Sequence, residues 1–233
     1  MTGMLASVKS LDEAMLAAEQ GVDFIDLKNP AEGALGALPL PLVHDIVAVL
    51  GGRSTLSATI GDLPMQPDLL YRRVKAVAET GVDIVKIGMF GQNNHRACIE
   101  MLAEEAEKHH LIAVLMADQG IDCSLLPLLS MAGFYGVMLD TADKRNGRLT
   151  EWVTYQQLEV FIRVAQAEDL VCGLAGSLSL DDVPRLRDLG ADYLGFRGAL
   201  CANHERSGRL DPEIIKELRQ MLCKCNTSEV CMH

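Results

Sequence analysis

Aromatic side chains are scarce, with one Trp, four Tyr and five Phe in 233 residues. Stacking platforms that grip single-stranded nucleic acid are therefore not expected. Basic residues are outnumbered: 21 Lys and Arg stand against 32 Asp and Glu, a net charge of −11. Broad binding to nucleic acid or anionic membranes is disfavoured, while a local basic pocket inside an acidic shell would suit a small anionic metabolite. Apolar runs are short and broken by Asp, Lys or Gly, so no membrane span is expected. The first residues show no basic stretch followed by a long apolar core, so no secretory signal is expected and a cytoplasmic location is.

What is present is ordinary for a globular chain: 49% hydrophobic and 23% charged residues. At about 150 residues per domain the length suggests a domain and a half, but a single α/β barrel also fits. The seven cysteines are Cys98, Cys123, Cys172, Cys201, Cys223, Cys225 and Cys231. Their odd number, and their positions inside expected elements, read as reduced thiols and not as a disulfide framework. Cys223, Cys225, Cys231 and His233 could hold a thiophilic metal at the end of the chain. A frayed polar terminus is the favoured reading, and no metal site is assigned.

One pattern recurs. An amphipathic helix ends in a Gly-x-Asp corner and a short apolar strand follows. It occurs at Gly21-Val22-Asp23, Gly81-Val82-Asp83 and Gly190-Ala191-Asp192, with a weaker copy at Gly133-Phe134-Tyr135. Glycine closes a helix there because it tolerates the left-handed conformation. Eight apolar strands are expected over 4–8, 24–28, 55–60, 84–89, 112–117, 136–141, 171–175 and 193–197. Helices are expected between them, over 42–50, 68–80, 93–109, 125–131, 152–168, 180–189 and 212–223, with another opening at Ser10. Eight β–α units of about 28 residues use the whole chain and leave no room for a second domain. The expected fold is a single (β/α)8 TIM barrel over 1–222, followed by a tail at 223–233. A doubly wound open sheet is the alternative, but the first strand-to-helix turn lacks a Gly-x-Gly-x-x-Gly.

In a barrel the chemistry sits at the C-terminal ends of the strands. Counting from the corner glycines, Asp26 and Lys86 fall at the fifth position, and Lys28, Asp140 and Arg197 at the seventh. Strand side chains alternate, so both positions face one side, in two successive layers. Buried like-charged amines resist protonation, and a neutral lysine is a nucleophile for carbonyl carbon. A Schiff-base aldolase or lyase follows, with a second lysine or an aspartate moving protons. A metal-dependent aldolase is disfavoured, because all six histidines fall outside the strand ends.

Gly176 and Ser177 follow strand 7, and Arg197 and Gly198 follow strand 8, where barrels commonly bind phosphate. Backbone N–H groups would approach the oxygens there, and Arg197 could pair with them bidentately. Loops 144–148 and 203–209 are polar and could hold a second anion. Ser7, Ser57, Thr59, Asp62 and Asp118 lie at or after odd-numbered strands, with no corner glycine to fix their register; ordinary caps or turns explain each equally well. Trp152, Tyr155 and Phe161 are spaced like one packing face of a helix.

The segments IDLKNPAEGALGA (25–37), SATIGDLP (57–64), VKIGMFG (85–91), MLDTADK (138–144), LAGSL (174–178) and GFRGALC (195–201) together resemble the (5-formylfuran-3-yl)methyl phosphate synthase family. That family is also called 4-(hydroxymethyl)-2-furancarboxaldehyde-phosphate synthase and acts in methanofuran biosynthesis. The first strand, the loop at 117–125 and the residues from Lys224 onward depart from its pattern. The resemblance implies a class I aldolase-like (β/α)8 barrel that condenses two glyceraldehyde 3-phosphate molecules, losing phosphate and water. It implies Lys28 as the Schiff-base lysine and Lys86 as the proton-transferring lysine, with Asp26, Asp140 and Lys144 as further active-site groups. The enamine would attack the second aldehyde, and the phosphate that is kept would rest on Gly176, Ser177, Arg197 and Gly198. No cofactor and no metal are expected, and the partners are a phosphorylated small molecule and other copies of the chain. Two alternatives stay open: another class I aldolase acting on a sugar phosphate, and a non-catalytic phosphometabolite-binding barrel.

Overall fold

A computed structural model describes residues 2–91 and 93–223, except for the His204 side chain. The strands are β1 (Gly3–Val8), β2 (Phe24–Leu27), β3 (Thr55–Thr59), β4 (Ile84–Met89), β5 (His110–Met116), β6 (Gly136–Asp140), β7 (Val171–Leu174) and β8 (Tyr193–Phe196). Each pairs in parallel with the next, and β8 returns to β1, so the sheet is a closed barrel. That closure removes the open-sheet alternative. The helices are α1 (Leu11–Glu19), α2 (Leu40–Leu50), α3 (Pro67–Ala78), α4 (His95–Ala106), α5 (Leu125–Met131), α6 (Leu149–Trp152), α7 (Tyr155–Ala167), α8 (Val183–Arg187) and α9 (Pro212–Cys223). They lie between successive strands, α9 after the last, and their apolar faces pack on the barrel in one large core.

The corner motif has a double physical role. Gly21, Gly81, Gly133 and Gly190 all have φ between 68° and 88°, the left-handed region that ends a helix. The aspartate two residues later accepts a hydrogen bond from the neighbouring strand. Asp23 takes the Met4 N–H, Asp83 the Leu56 N–H and Asp192 the Cys172 N–H, each at 2.7 Å. These donors open β1, β3 and β7, so the motif pins three strands from below. The fourth copy has Tyr135 in that place, and its ring stacks on His110 with centroids 4.3 Å apart.

Several expected boundaries shift. β2, β3, β5, β6, β7 and β8 each end one residue earlier than the apolar runs suggest, and β5 begins two residues earlier. The next residue still donates along the ladder in three cases: Lys28 N to Val8 O, Ile60 N to Lys86 O and Ala175 N to Leu139 O. The helix expected over 152–168 is two helices, because Thr154 caps α7 through its side chain and Gln157. Trp152 therefore leaves the face it was expected to share: Phe161 is buried, whereas Trp152 is 42% exposed. The helix expected over 180–189 is a 3-10 turn at Leu180–Asp182 followed by α8. The residues from Lys224 onward, with Cys225, Cys231 and His233, lie outside the described residues. Among the described residues the five cysteines are free, no disulfide or metal-ligating cluster occurs, and no helix is long and apolar enough to cross a membrane.

Below the polar layers the barrel is filled with Leu5, Ile84, Ile112 and Tyr193. Gly173 makes room for that tyrosine, since a Cβ there would lie 2.3 Å from its ring. The interior is thus packed at its base and polar only toward the C-terminal mouth.

Candidate active site

The register places Asp26 of β2 between Ser7 of β1 and Ser57 of β3. Both serines donate to its carboxylate, Ser7 Oγ at 3.1 Å and Ser57 Oγ at 2.8 Å. Lys86 of β4 lies opposite Thr59 and reaches the same carboxylate, Nζ to Oδ1, at 2.9 Å. Lys28, just past β2, stands one layer higher. Its Nζ is 3.9 Å from Asp26 Oδ2 and 3.9 Å from Asp140 Oδ2 at the end of β6. Lys144, on the loop after β6, bonds the other oxygen of Asp140 and lies 3.4 Å from Thr141 Oγ1. Asp26, Lys28, Lys86, Asp140 and Lys144 thus form one connected, buried ion network, with three amines around two carboxylates.

That stoichiometry sets the electrostatics. Burial lowers the Lys28 amine from its ordinary value to about 8; Asp140 and Asp26 pull it up, and Lys144 and Lys86 push it down. At pH 7.5 roughly a quarter of an amine with that pKa is neutral, against about a thousandth for an ordinary lysine. Burial also lowers Lys144, opposed by Asp140. Burial by itself would raise Asp26, but Lys86 and then Lys28 outweigh it and hold the carboxyl below its ordinary value. Asp140 is likewise held low, against burial, by Lys144 and Lys28. The site therefore offers a nucleophilic amine beside two carboxylates that stay ionised, the combination that imine formation and proton transfer require.

An open cavity of about 270 Å³ sits over this network. Its far wall contains Gly176, Ser177, Leu178, Gly198 and Ala199. Among the described residues, the backbone N–H groups of these five donate to no protein acceptor. Gly176 has φ 115° and Ser177 φ 51°, so this turn runs through the left-handed region at a non-glycine residue. A row of backbone donors without protein acceptors on such a turn has the geometry to accept an anion.

Arg197 departs from the strand count. Its backbone (φ −138°, ψ −69°) has left the extended conformation, so period-two alternation no longer aims the side chain. All five guanidinium N–H donors meet protein acceptors: Nε gives to Arg206 O, Nη1 to Ser7 O and Glu13 Oε2, Nη2 to Glu13 Oε1 and Gly208 O. It borders the cavity but ties α1, β1 and the loop after β8 together, and no N–H remains for a phosphate fork. Glu13 had signalled only a helix first turn, because its partner is 184 residues away in sequence. Replacing Glu13 by Ala leaves a buried, unpaired guanidinium and should lower unfolding stability by about 3–5 kcal/mol, read by urea titration.

The odd-numbered strands supply the serines described above, and Thr59 Oγ1 donates to Gly36 O at 3.1 Å. Asp62 accepts from the N–H groups of Ala34 and Leu35, at 2.8 and 2.7 Å. Asp118 accepts from those of Ala142 and Asp143, at 2.8 and 2.9 Å. Asp62 fastens the loop that follows Lys28 and Asp118 the loop that carries Lys144; neither forms an ion pair with the network, although the Asp118 charge raises the Lys144 pKa. Arg206, in a loop the sequence marks only as polar, also lines the cavity.

A family model described as 4-HFC-P synthase matches residues 4–219. The (5-formylfuran-3-yl)methyl phosphate synthase of Methanopyrus kandleri is 34% identical, over 94% of this chain and 98% of its own. That of Methanocaldococcus jannaschii is 33% identical, over 95% and 99%. A Methylorubrum extorquens protein provisionally named for the same synthase is 40% identical, over 89% and 86%. Among solved structures, phosphoribosyl anthranilate isomerase from Thermococcus kodakaraensis superimposes with a TM-score of 0.68 at 15% identity, covering 97% of this chain and 100% of that one. 3-Hexulose-6-phosphate synthase from Salmonella typhimurium does so with a TM-score of 0.64 at 16% identity, covering 95% and 100%. These two likenesses concern the barrel fold alone. With a family match across nearly all of the barrel and relatives aligned along almost their full length, the chain belongs to the 4-HFC-P synthase family of enzymes.

Proposed function

We propose that this protein is a Schiff-base lyase that builds (5-formylfuran-3-yl)methyl phosphate from two glyceraldehyde 3-phosphate molecules, in methanofuran-type cofactor biosynthesis. The observation that carries the reading is the buried Lys28 amine with a pKa of about 8, beside two carboxylates and below an anion cradle. The atoms balance: two trioses lose one inorganic phosphate and two waters. The product's ring substitution also fixes the new carbon–carbon bond. It joins C3 of the triose that loses its phosphate to C2 of the triose that keeps it. Attack at the second aldehyde carbon, as in a simple aldol addition, would give an unbranched chain and is not the route.

Lys28 Nζ adds to the aldehyde carbon of one triose, and water leaves as the imine forms. Asp26 and Lys86, hydrogen-bonded at 2.9 Å, are the proton relay at C2 that converts imine to enamine. The enamine nitrogen pushes electrons toward C3, whose C–O bond to phosphate breaks. Lys144, held by Asp140, supplies the proton the departing oxygen needs. The enol left on Lys28 attacks through C3 the C2 carbonyl of the second triose, present as its dihydroxyacetone phosphate isomer; the C2 oxygen takes up a proton as the enol hydroxyl loses one. The C1 hydroxyl of the second triose closes on C2 of the first, two dehydrations aromatise the ring, and hydrolysis frees the lysine, taking back the water lost when the imine formed. Gly176, Ser177 and Gly198 hold a substrate phosphate through their backbone N–H groups, and Arg197 positions the loop above it. A cytoplasmic location suits the free cysteines.

Borohydride trapping tests this reading. With glyceraldehyde 3-phosphate the reduced adduct should map to the peptide containing Lys28, and product should absorb as a furan in the ultraviolet. The trapping rate should climb with pH as the amine deprotonates through about 8. An adduct on Lys86 would exchange the lysine roles. An open-chain product would make this a different sugar-phosphate aldolase, and binding without adduct would leave a phosphometabolite-binding barrel.

A further inference from the structure

Two phosphorylated substrates need two anion positions, and the cradle after β7 and β8 is one of them. Arg206 stands on the loop after β8, half-buried, and lines the same cavity as Lys28 and Lys144. Among the described residues its guanidinium makes a single hydrogen bond, from Nη2 to Gly33 O on the β2–α2 loop, at 3.2 Å. Four of its five N–H donors therefore have no protein acceptor. The contrast with Arg197 is direct, since every donor of that residue is used. Arg197 Nε also holds the Arg206 carbonyl at 2.7 Å, so the saturated arginine fixes the backbone of the unsaturated one.

Charge points the same way. Arg197 is neutralised by Glu13, which leaves Lys28, Lys86, Lys144 and Arg206 against Asp26 and Asp140 around the cavity. Asp118 and Asp62 act on Lys144 and Arg206 from neighbouring loops, but neither forms an ion pair with them among the described residues. Arg206 is one of the groups that push the Lys144 amine down. A dianion between the two side chains would relieve that repulsion and use the fork of the guanidinium.

We propose that Arg206, with Lys144, forms a second anion-binding position at the barrel mouth, separate from the glycine cradle, for the phosphate of the second triose. It rests on the two-triose reaction proposed above. Arg206 is a binding residue, and Arg197 a positioning residue that acts through it.

The test separates the first substrate from the second. Borohydride trapping at Lys28, titrated with glyceraldehyde 3-phosphate, reads occupancy by the imine-forming triose. Furan formation needs both trioses. In Arg206→Gln the half-saturation for trapping should stay within about twofold, while that for furan formation should rise about 10–100-fold, the loss of one charge-assisted hydrogen-bonded group. Arg206→Lys keeps the charge without the fork and should fall between; it also serves if the glutamine variant does not fold, as judged by circular dichroism. Unchanged furan kinetics in a folded variant would overturn the second position. An equal rise in both half-saturations would also overturn it, placing Arg206 on the first phosphate. A wild-type protein that neither traps nor makes furan would sink the two-triose reaction itself, a distinct failure.

Discussion

Lys28→Arg should abolish furan formation, by on the order of 10⁴-fold or more, and eliminate the borohydride adduct. The reason is specific to the pair of residues. Arginine keeps the positive charge that Asp26 and Asp140 face, so the ion network survives. A guanidinium stays protonated at any working pH and cannot supply a neutral nitrogen to a carbonyl carbon. Lysine at this position can, because burial brings its pKa to about 8. The arginine variant should still fold and still bind inorganic phosphate at the cradle, measured by calorimetry. Turnover near wild type would remove Lys28 from the nucleophile role. The same pKa has a stability consequence. Lys28 binds its proton less tightly folded than unfolded, so its charged form opposes folding below pH 8. That penalty, about 3 kcal/mol for a shift of this size, disappears as pH rises from 8 toward the ordinary lysine value. Lys28→Met should flatten that part of the stability profile.

Asp26→Asn should produce the second large effect, on stability and chemistry together. Asp26 is wholly buried and accepts from Ser7, Ser57 and Lys86 while lying 3.9 Å from Lys28. The amide has the same shape but no charge. Lys86 then loses the one carboxylate that pairs with it among the described residues, and Lys28 keeps only Asp140. Breaking a buried pair from one side costs about 3–5 kcal/mol, which urea titration at pH 7 would read directly. Without the carboxylate that raises it, the Lys28 amine should titrate below 8, shifting the trapping profile to lower pH. Furan formation should fall all the same, since the proton relay to Lys86 is cut. A stability loss under about 1 kcal/mol would mean that the carboxylate does not compensate the two lysines. The wild-type dependence has the same sign as that of Lys28, because all three pKa values are lowered and stability rises with pH, but it falls in the acid range: the depressed pKa values of Asp26 and Asp140 stabilise the fold above the ordinary carboxylate range, and that stabilisation is lost as pH falls through them.

Much of this architecture was legible in the chain because it is written locally. Eight apolar runs, each preceded by a helix and a glycine corner, require only short-range physics: helix termination, strand burial and right-handed crossover. The corner count from Gly21, Gly81 and Gly133 also set Asp26, Lys28, Lys86 and Asp140 on one face, because each strand stays extended up to those residues. Where the backbone leaves the strand, the count stops working. Arg197 has the same spacing from Gly190, yet its altered ψ turns it to Glu13, Ser7 and Gly208.

The sequence by itself determined the barrel, the lumen-facing lysines and aspartates, and the glycines after β7 and β8, since periodicity and turn chemistry act over a few residues. Only the tertiary structure decided that Ser7 and Ser57 flank Asp26, that Asp62 and Asp118 fasten neighbouring loops, and that Arg206 keeps its donors while Arg197 does not. Those outcomes depend on groups tens to nearly two hundred residues apart, brought together by closure of the sheet. A side chain's donors are distributed among whatever acceptors the closed barrel places within about 3 Å of it, and no local pattern encodes that distance.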